Sequence, residues 1–286
     1  MTTFATLTGT GVPHPSPGRA GSGVCIQYKN TVLQFDAGRG TVIRLSENKI
    51  ALHQVSAVFL THVHSDHVID LADVVMTRWI QQTLHPAQPL EIVCPKGAPE
   101  SFVTRMLEPF EIDIALRVEH VQKTPPKFTI NPFTPSPAIQ QVWTSPDNSV
   151  RVSAVAVHHE PVPDAVAYRV DTPDGAIVIS GDTRVCDEVA QLATGADILI
   201  HEACRVRAMQ HSIRGTGFQS IFDYHADSVA LGEMASRINI PHLVLTHLIP
   251  QPRNAEDEQK FADDVRQGGF SGKVTVGSDL NTFTLG

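Results

Sequence analysis

Three histidines and an aspartate fall within six residues at His62-Val63-His64-Ser65-Asp66-His67. They stand where the nearly all-apolar run VSAVFLTH stops, so their side chains project from a fixed strand edge into a crevice. His62 and His64, two residues apart, point to one side of an extended segment, while Asp66 and His67 open the next helix and turn toward a neighbouring position. Imidazole and carboxylate ligands together suit zinc, and less specifically manganese or iron. The competing explanation, an accidental polar cluster at a surface turn, fits poorly with four such residues at one strand end. The chain also holds 14 histidines against 3 tyrosines and 2 tryptophans, which makes metal-ligand spacing the first pattern to follow.

The elements that must hold these residues are readable from periodicity. FATLTG, VCIQY and TVLQFDAG are short strands separated by Gly and Pro clusters. A polar helix over Thr41 to Ile50 leads to the strand before His62, and Val68 to Leu84 keeps its apolar residues roughly on one helical face. LEIVCP is another strand and Ala98 to Pro109 another amphipathic helix. Residues 121–149 are rich in proline and read as an ordered surface connection, with room for a hairpin, between halves of about 1–120 and 150–286. The second half repeats the order: SVRVSAVAVHH, a hairpin through Asp174-Gly175, ADILIHEA, a helix from Asp227 to Ile238, PHLVLTHL, a charged helix from Asn254 to Gln267, and closing strands. Strands followed by helices in both halves predict two sheets packed face to face with helices outside: an α/β, four-layer αββα sandwich forming one domain over 1–286.

Composition bounds the rest. A net charge of −8 over 286 residues argues against a surface that grips a polyanion along its length. No apolar run reaches ~18 residues, so no membrane span is expected. The N-terminus shows no secretory signal, and Cys25, Cys94, Cys186 and Cys204 form no CxxC pair, which fits reduced thiols in the cytoplasm. Arg78 reads either as helix surface or as a contact to an anion.

The run Thr61-His62-Val63-His64-Ser65-Asp66-His67 resembles the metal signature of the metallo-β-lactamase superfamily, and its companions follow in that family's order along nearly the whole chain. They are Asp36 in LQFDAG, His158 or His159 in VAVHHE, Asp182 in Ser180-Gly181-Asp182-Thr183, and His247 at the end of LVLTH. His159 is preferred over His158 because the Tyr168-Arg169-Val170 strand that follows lies at the spacing seen in similar sequences. The resemblance implies that His62, His64, His159 and Asp182 hold one metal ion. Asp66, His67, His247 and the shared Asp182 then hold a second, giving two Zn2+ per chain, with Mn2+ or Fe2+ as alternatives. Asp66 counts as catalytic as well as ligating, and Asp36 orients a ligand imidazole from behind. The expected chemistry is hydrolysis by a metal-bridging hydroxide.

Two further motifs resemble the ribonuclease Z branch of that superfamily. Ile200-His201-Glu202-Ala203-Cys204 is similar to its His-Glu-Ala-Thr motif, departing at Cys204. Asp223-Tyr224-His225-Ala226-Asp227 is similar to its His-Ser-Thr motif, departing after the histidine. The resemblance implies that Glu202 orients His225, and that His225 stabilises the transition state or protonates the leaving group. His201 is either a further supporting residue or a buried structural histidine. His14 and Arg19, in the early Gly- and Pro-rich loop, are candidates for lining the substrate crevice.

Many branch members carry a protruding tRNA-binding arm between the third metal motif and the Gly-Asp-Thr turn. Here His159 to Asp182 holds only a tight hairpin, so the pattern is more similar to armless relatives that act on small phosphodiesters or sulfate esters. A small anionic ester is therefore the expected substrate. A tRNA 3′ endonuclease, docking through another loop such as Gln122 to Asp147, is the alternative, although the charge balance weighs against nucleic acid. A carbon-centred hydrolase acting on a lactone, lactam or thioester is the other. Branch members often form dimers, so a homodimer is an expectation of the same resemblance.

Overall fold

The computed structural model describes residues 2–286. Near its start, three short runs form an antiparallel meander, β1 (Thr3–Gly9) and β2 (Gly23–Tyr28) joined by a long loop, β2 and β3 (Thr31–Phe35) by a tight turn. β4 (Ala57–Phe59), β5 (Leu90–Pro95) and β6 (Phe128–Phe133) then add in parallel, each reached through helical crossovers or turns. The second sheet mirrors this plan. β7 (Gln140–Thr144), β8 (Arg151–Ala156), β9 (Val166–Thr172) and β10 (Gly175–Ile179) are antiparallel, and β11 (Ile198–Cys204), β12 (His242–Ile249) and β13 (Lys273–Val276) continue in parallel. The last strand, β14 (Thr282–Leu285), returns to pair with β1, giving orders β14-β1-β2-β3-β4-β5-β6 and β13-β12-β11-β10-β9-β8-β7.

Apolar side chains of both inner faces meet between the sheets. Phe35 and Phe59 stack at 4.7 Å, and Tyr168 from the opposite sheet lies against both rings and donates its hydroxyl to the Leu60 carbonyl at 2.6 Å. That one polar tip is satisfied, so the ring's burial is stabilising rather than costly. On the outer face of the first sheet, α1 (Thr41–Glu47), α2 (Ser65–Val68), α3 (Leu71–Gln81) and α4 (Ala98–Arg105) bury Leu45, Val68, Leu71, Val74 and Val103. After α5 (Glu111–Arg117), which buries nothing, the second sheet is covered by α6 (Asp187–Leu192), α8 (Ser228–Arg237) and α9 (Ala255–Gln267) through Val189, Leu231 and Phe261. Between α6 and α8 lies α7 (Val206–Ile213), which stays exposed. This is the expected αββα sandwich. Asp227 caps α8, accepting from the Val229 and Ala230 amides.

Two expectations need correction. Residues 121–149 join the two halves at the surface, but the hairpin given room inside them does not form: β6 and β7 lie in this stretch and end different sheets. Both are edge strands, where proline is tolerated because one side of the ladder is unpaired, so proline content hid them. The helix expected over Val68 to Leu84 runs as α3 over Leu71–Gln81, separated by a turn from the short α2 before it. The Asp70 amide donates to the Ala37 carbonyl at the break, and this fixes the short turn that carries Asp66 and His67. Among the described residues no helix is long and apolar enough to cross a membrane. The four cysteines are free thiols, and burial pushes Cys25 up to about 12, which keeps it protonated and unreactive.

His242 gives the fold a measurable acid sensitivity. Its Nε2 lies 2.9 Å from Thr275 Oγ1 and its ring meets Phe283 edge-on, and burial together with Lys273 pushes its pKa down to about 4. The folded protein thus keeps His242 neutral while the unfolded chain protonates it, so stability falls as pH drops from about 6.5 toward 4. Replacing His242 with Gln is expected to flatten that slope by about 2 kcal/mol in urea melts at pH 7 and pH 4.5. Unchanged slopes would refute this.

Candidate dinuclear metal centre

The turns leaving β3, β4, β8 and β10 and a bulge within β12 meet at one edge of the sandwich. Asp36 follows β3 with φ of 55°, and its carboxylate accepts from the Thr61 amide, the Thr61 hydroxyl (both 2.8 Å) and His67 Nδ1–H at 2.7 Å. Thr61 Oγ1 in turn lies 3.0 Å from His62 Nδ1. Both rings thereby engage Nδ1 behind them and turn Nε2 inward, the arrangement that presents Nε2 to a metal ion. Gly181 precedes Asp182 with φ of 59°, and a Cβ there would come within 2.8 Å of Thr61. Glycine alone lets the β10 turn approach the histidine loop this closely. His247 is aimed by a different device. Opposite β11 the register of β12 shifts between Thr246 and Leu248, leaving His247 as the extra bulge residue with φ of 44°.

These turns bring two donor sets together. His62, His64, His159 and Asp182 offer ligand atoms within 4.8 Å of one another, as do Asp66, His67 and His247. Asp182 lies between the sets, with Oδ1 3.4 Å from His67 Nε2 and Oδ2 3.3 Å from His247 Nε2 and 3.9 Å from both His62 and His159. Burial would raise Asp182, but the surrounding imidazoles hold it well below the usual carboxylate range. Burial keeps His62 and His64 below the ordinary histidine range, hence neutral with a lone pair available.

The residues fit a metal pair. His64 Nδ1 is 3.0 Å from His62 Nε2 and 3.2 Å from His159 Nε2, while His159 Nδ1 faces the Tyr224 carbonyl at 3.1 Å. Bare ring nitrogens converging on one point cannot all be satisfied by a shared proton, whereas a cation satisfies them together. His67 Nε2 and Asp182 Oδ1 are also buried without hydrogen-bond partners. An orphaned nitrogen facing an orphaned carboxylate oxygen is what a ligand pair leaves when the cation is not counted.

Beside the ligands, Glu202 of β11 is fully buried and accepts from the Thr183 amide at 2.9 Å and from His225 Nδ1–H at 2.7 Å. Burial lowers His225, yet the Glu202 charge and hydrogen bond raise it to about 9. Its ring stacks on His247 at 5.5 Å, and it shares a donor group with Asp182 and His247.

His158 is turned away, a third exposed, with its ring nitrogens toward Glu188 and Glu160, so His159 is the histidine in the cluster. Other candidates are not brought to the centre. Arg19 does not line the crevice: its guanidinium is taken up by Thr10, the Gly277 carbonyl and Glu258, which tie the early loop to α9 and the closing turn. His201 is fully buried with Nδ1 on the Glu202 carbonyl and belongs to neither donor set. Alternation along β11 sends it to the face opposite Glu202. His14 stands exposed in its loop.

The fold and this centre define the class: a metal-dependent hydrolase. The pattern of the Beta-lactamase superfamily domain matches residues 31–248, and the chain belongs to that superfamily. Relatives extend the match end to end. A protein named Ribonuclease Z from Mycobacterium bovis (strain BCG / Pasteur 1173P2) is 34% identical over 278 residues, covering 96% of each chain. Another so named, from Mycobacterium sp. (strain KMS), is 36% identical over 282 residues, covering 96% of this chain and 94% of its own. Among solved structures, the short form of human tRNase Z superposes with a TM-score of 0.71 at 23% identity, covering 99% of both chains. The metallo-β-lactamase fold protein YhfI from Bacillus subtilis gives 0.73 at 18%, covering 99% of this chain and 100% of its own.

Asp36 carries a direct prediction. Asp36→Ala frees Thr61 and His67 together, so zinc affinity is expected to fall by about 10- to 100-fold, read by competition with a chromogenic chelator. Affinity equal to the parent protein would show that Asp36 is only a strand-end residue.

Proposed function

We propose that the protein is a ribonuclease Z-type endonuclease that hydrolyses a phosphodiester bond on the 3′ side of precursor tRNA. The observation that carries this reading is the end-to-end match, at 34% identity, to proteins named Ribonuclease Z. Equal length matters here. The interval from His159 to Asp182 contains only the β9–β10 hairpin, but these relatives align over 96% of their own length, so the absence of a long arm does not separate this chain from them.

Two divalent ions, when bound, supply an ionised water and neutralise charge on the phosphoryl oxygens. The protein's own groups do the rest. Asp36 and Thr61 hold the ligand rings in one tautomer. Glu202 fixes His225 Nδ1–H, leaving Nε2 toward the ligand cluster to hold a proton for the departing ribose oxygen.

An RNA partner also has a surface beside this centre. Between Glu202 and His225 the chain leaves the body as α7 and a turn over Gly217–Asp223, neither of which buries a residue. Residues 205–223 contain Arg205, Arg207 and Arg214 against one acid, Asp223. Arg205 pairs with Asp264, while Arg207 and Arg214 have no carboxylate partner among the described residues. Phe218 is exposed in the same segment, so cationic and aromatic groups are displayed together, a combination suited to single-stranded RNA despite the overall charge of −8.

A second reading, hydrolysis of a small phosphodiester, is favoured by the overall charge of −8 and uses the same centre. The two separate in initial-rate assays of zinc-loaded protein on a precursor tRNA with a 3′ trailer, an aryl phosphodiester and an aryl sulfate. Cleavage of the RNA at one position is expected, and the double variant Arg207→Glu/Arg214→Glu should raise KM for RNA by about 10-fold or more while sparing the aryl diester. Intact RNA with rapid aryl diester turnover would favour the second reading. Turnover of the sulfate alone would overturn both.

A further inference from the structure

We infer that a cleft at the far end of the first sheet is an anion-binding site separate from the metal centre, fitted to a small molecule bearing a phosphate or carboxylate group. The cleft has a volume of about 520 Å³ and touches Val32 at the start of β3 and Ser56 just before β4. The metal ligands leave the opposite ends of these strands. From Ser56 to His62 the chain runs six residues, about 20 Å when extended, so one ligand cannot span both sites through the sheet.

The observation that points to an anion is Arg78 of α3. It lines the cleft and is 4% exposed, yet no carboxylate lies within 4.0 Å of its guanidinium among the described residues. It donates to the Leu52 carbonyl and, at 2.8 Å, to the Gln88 carbonyl, and its Nε–H has no acceptor. Other shielded arginines are neutralised: Arg19 by Glu258, Arg44 by Asp279, Arg205 by Asp264. A buried cation with neutral partners only is costly, and a bound anion relieves that cost. Burial accordingly lowers Arg78, with no acid acting against it.

The rest of the lining agrees. Lys29 stands exposed at the β2–β3 turn beside the cleft, its ammonium 5.0 Å from the Tyr28 ring and with no carboxylate within 4.0 Å among the described residues, although its charge also reaches Asp147. His53 Nδ1 is buried without a partner, its ring stacked on His85 at 4.7 Å. Glu91 is the one acid in the lining, and its Oε2 already accepts from Asn131 Nδ2 and Trp143 Nε1. The lining thus presents two cations against one engaged carboxylate.

The test is calorimetric titration of zinc-loaded protein with inorganic phosphate and, separately, with acetate, in the parent and in Lys29→Ala, Arg78→Gln and Asp182→Ala. Asp182→Ala reports on the metal centre, where phosphate also binds. Expected is one saturable site that survives Asp182→Ala, is weakened at least about 10-fold by Lys29→Ala and is lost in Arg78→Gln. The tighter of the two probes assigns the group recognised. Lys29 is exposed at a turn, so its variant folds even if Arg78→Gln does not, and its turnover at the metal centre should be unchanged. Binding that disappears with Asp182→Ala, binding indifferent to Lys29→Ala, or no saturable site for either probe below about 10 mM would each overturn the proposal.

Discussion

Asp182→Ala is expected to empty both metal positions at once, lowering bound zinc from two ions per chain to fewer than one and hydrolysis by at least about 10³-fold. The magnitude follows from position. Among the described residues Asp182 is the one carboxylate that comes within 4 Å of all four of His62, His67, His159 and His247, so it is the one anion common to both donor sets. Its removal leaves four buried imidazoles with Asp66 as the remaining carboxylate on their inward-facing nitrogens, since Asp36 is spent on His67 Nδ1 from behind. His158→Ala is the control. That ring points toward Glu188 and Glu160 at the surface, and its loss should leave metal content and turnover unchanged. Metal analysis after gel filtration, with far-UV circular dichroism to confirm folding, reads both. Two ions retained by Asp182→Ala would remove the shared-ligand arrangement. Zinc lost from His158→Ala but not from His159→Ala would reverse the assignment of the third histidine.

How much of this centre is legible in the sequence depends on how local its causes are. His62, His64, Asp66 and His67 share one strand-to-helix turn, so their spacing alone announces a ligand cluster. Asp36 and Asp182 follow the ends of two strands and His247 sits within a third, and only the family resemblance connects them, because nothing in a linear pattern states which strands become neighbours. Even then the reason His247 reaches the cluster is hidden: it is a bulge, set by a one-residue register shift against β11. Choosing between His158 and His159 has the same origin, since adjacent residues on an extended segment face opposite ways and the register decides. The sequence also leaves polar loop residues undecided. Arg19 looks free in the early loop, but Thr10, Gly277 and Glu258 converge on it from distant segments. Arg78 looks like a residue of a helix surface, and tertiary packing buries it. The edge strands β6 and β7 escape notice because their prolines signal turns, a signal that holds for central strands and fails at sheet edges.

The loss from His225→Ala is expected to depend on what leaves. On RNA or an alkyl phosphodiester, whose departing alkoxide needs a proton, turnover should fall by about 10² to 10⁴-fold, the usual range for removing a general acid. On a nitrophenyl phosphodiester, whose leaving group is stable as an anion, the same variant should stay within about 10-fold of the parent. The geometry makes His225 suited to this task and Glu202 its support. Glu202 Oε1 accepts Nδ1–H at 2.7 Å from a fully buried position, so the imidazole can neither rotate nor change tautomer without breaking a charged, desolvated hydrogen bond. Glu202→Gln keeps the shape but removes the charge that holds the imidazole protonated, and it should reproduce part of the leaving-group dependence. Since both side chains act through one proton, Glu202→Gln/His225→Ala should be no slower than His225→Ala alone. Equal losses on alkyl and nitrophenyl substrates would instead mean that His225 positions the phosphoryl group or supports His247, against which it stacks. Additive losses in the double variant would mean that Glu202 acts on the Thr183 turn rather than through the imidazole.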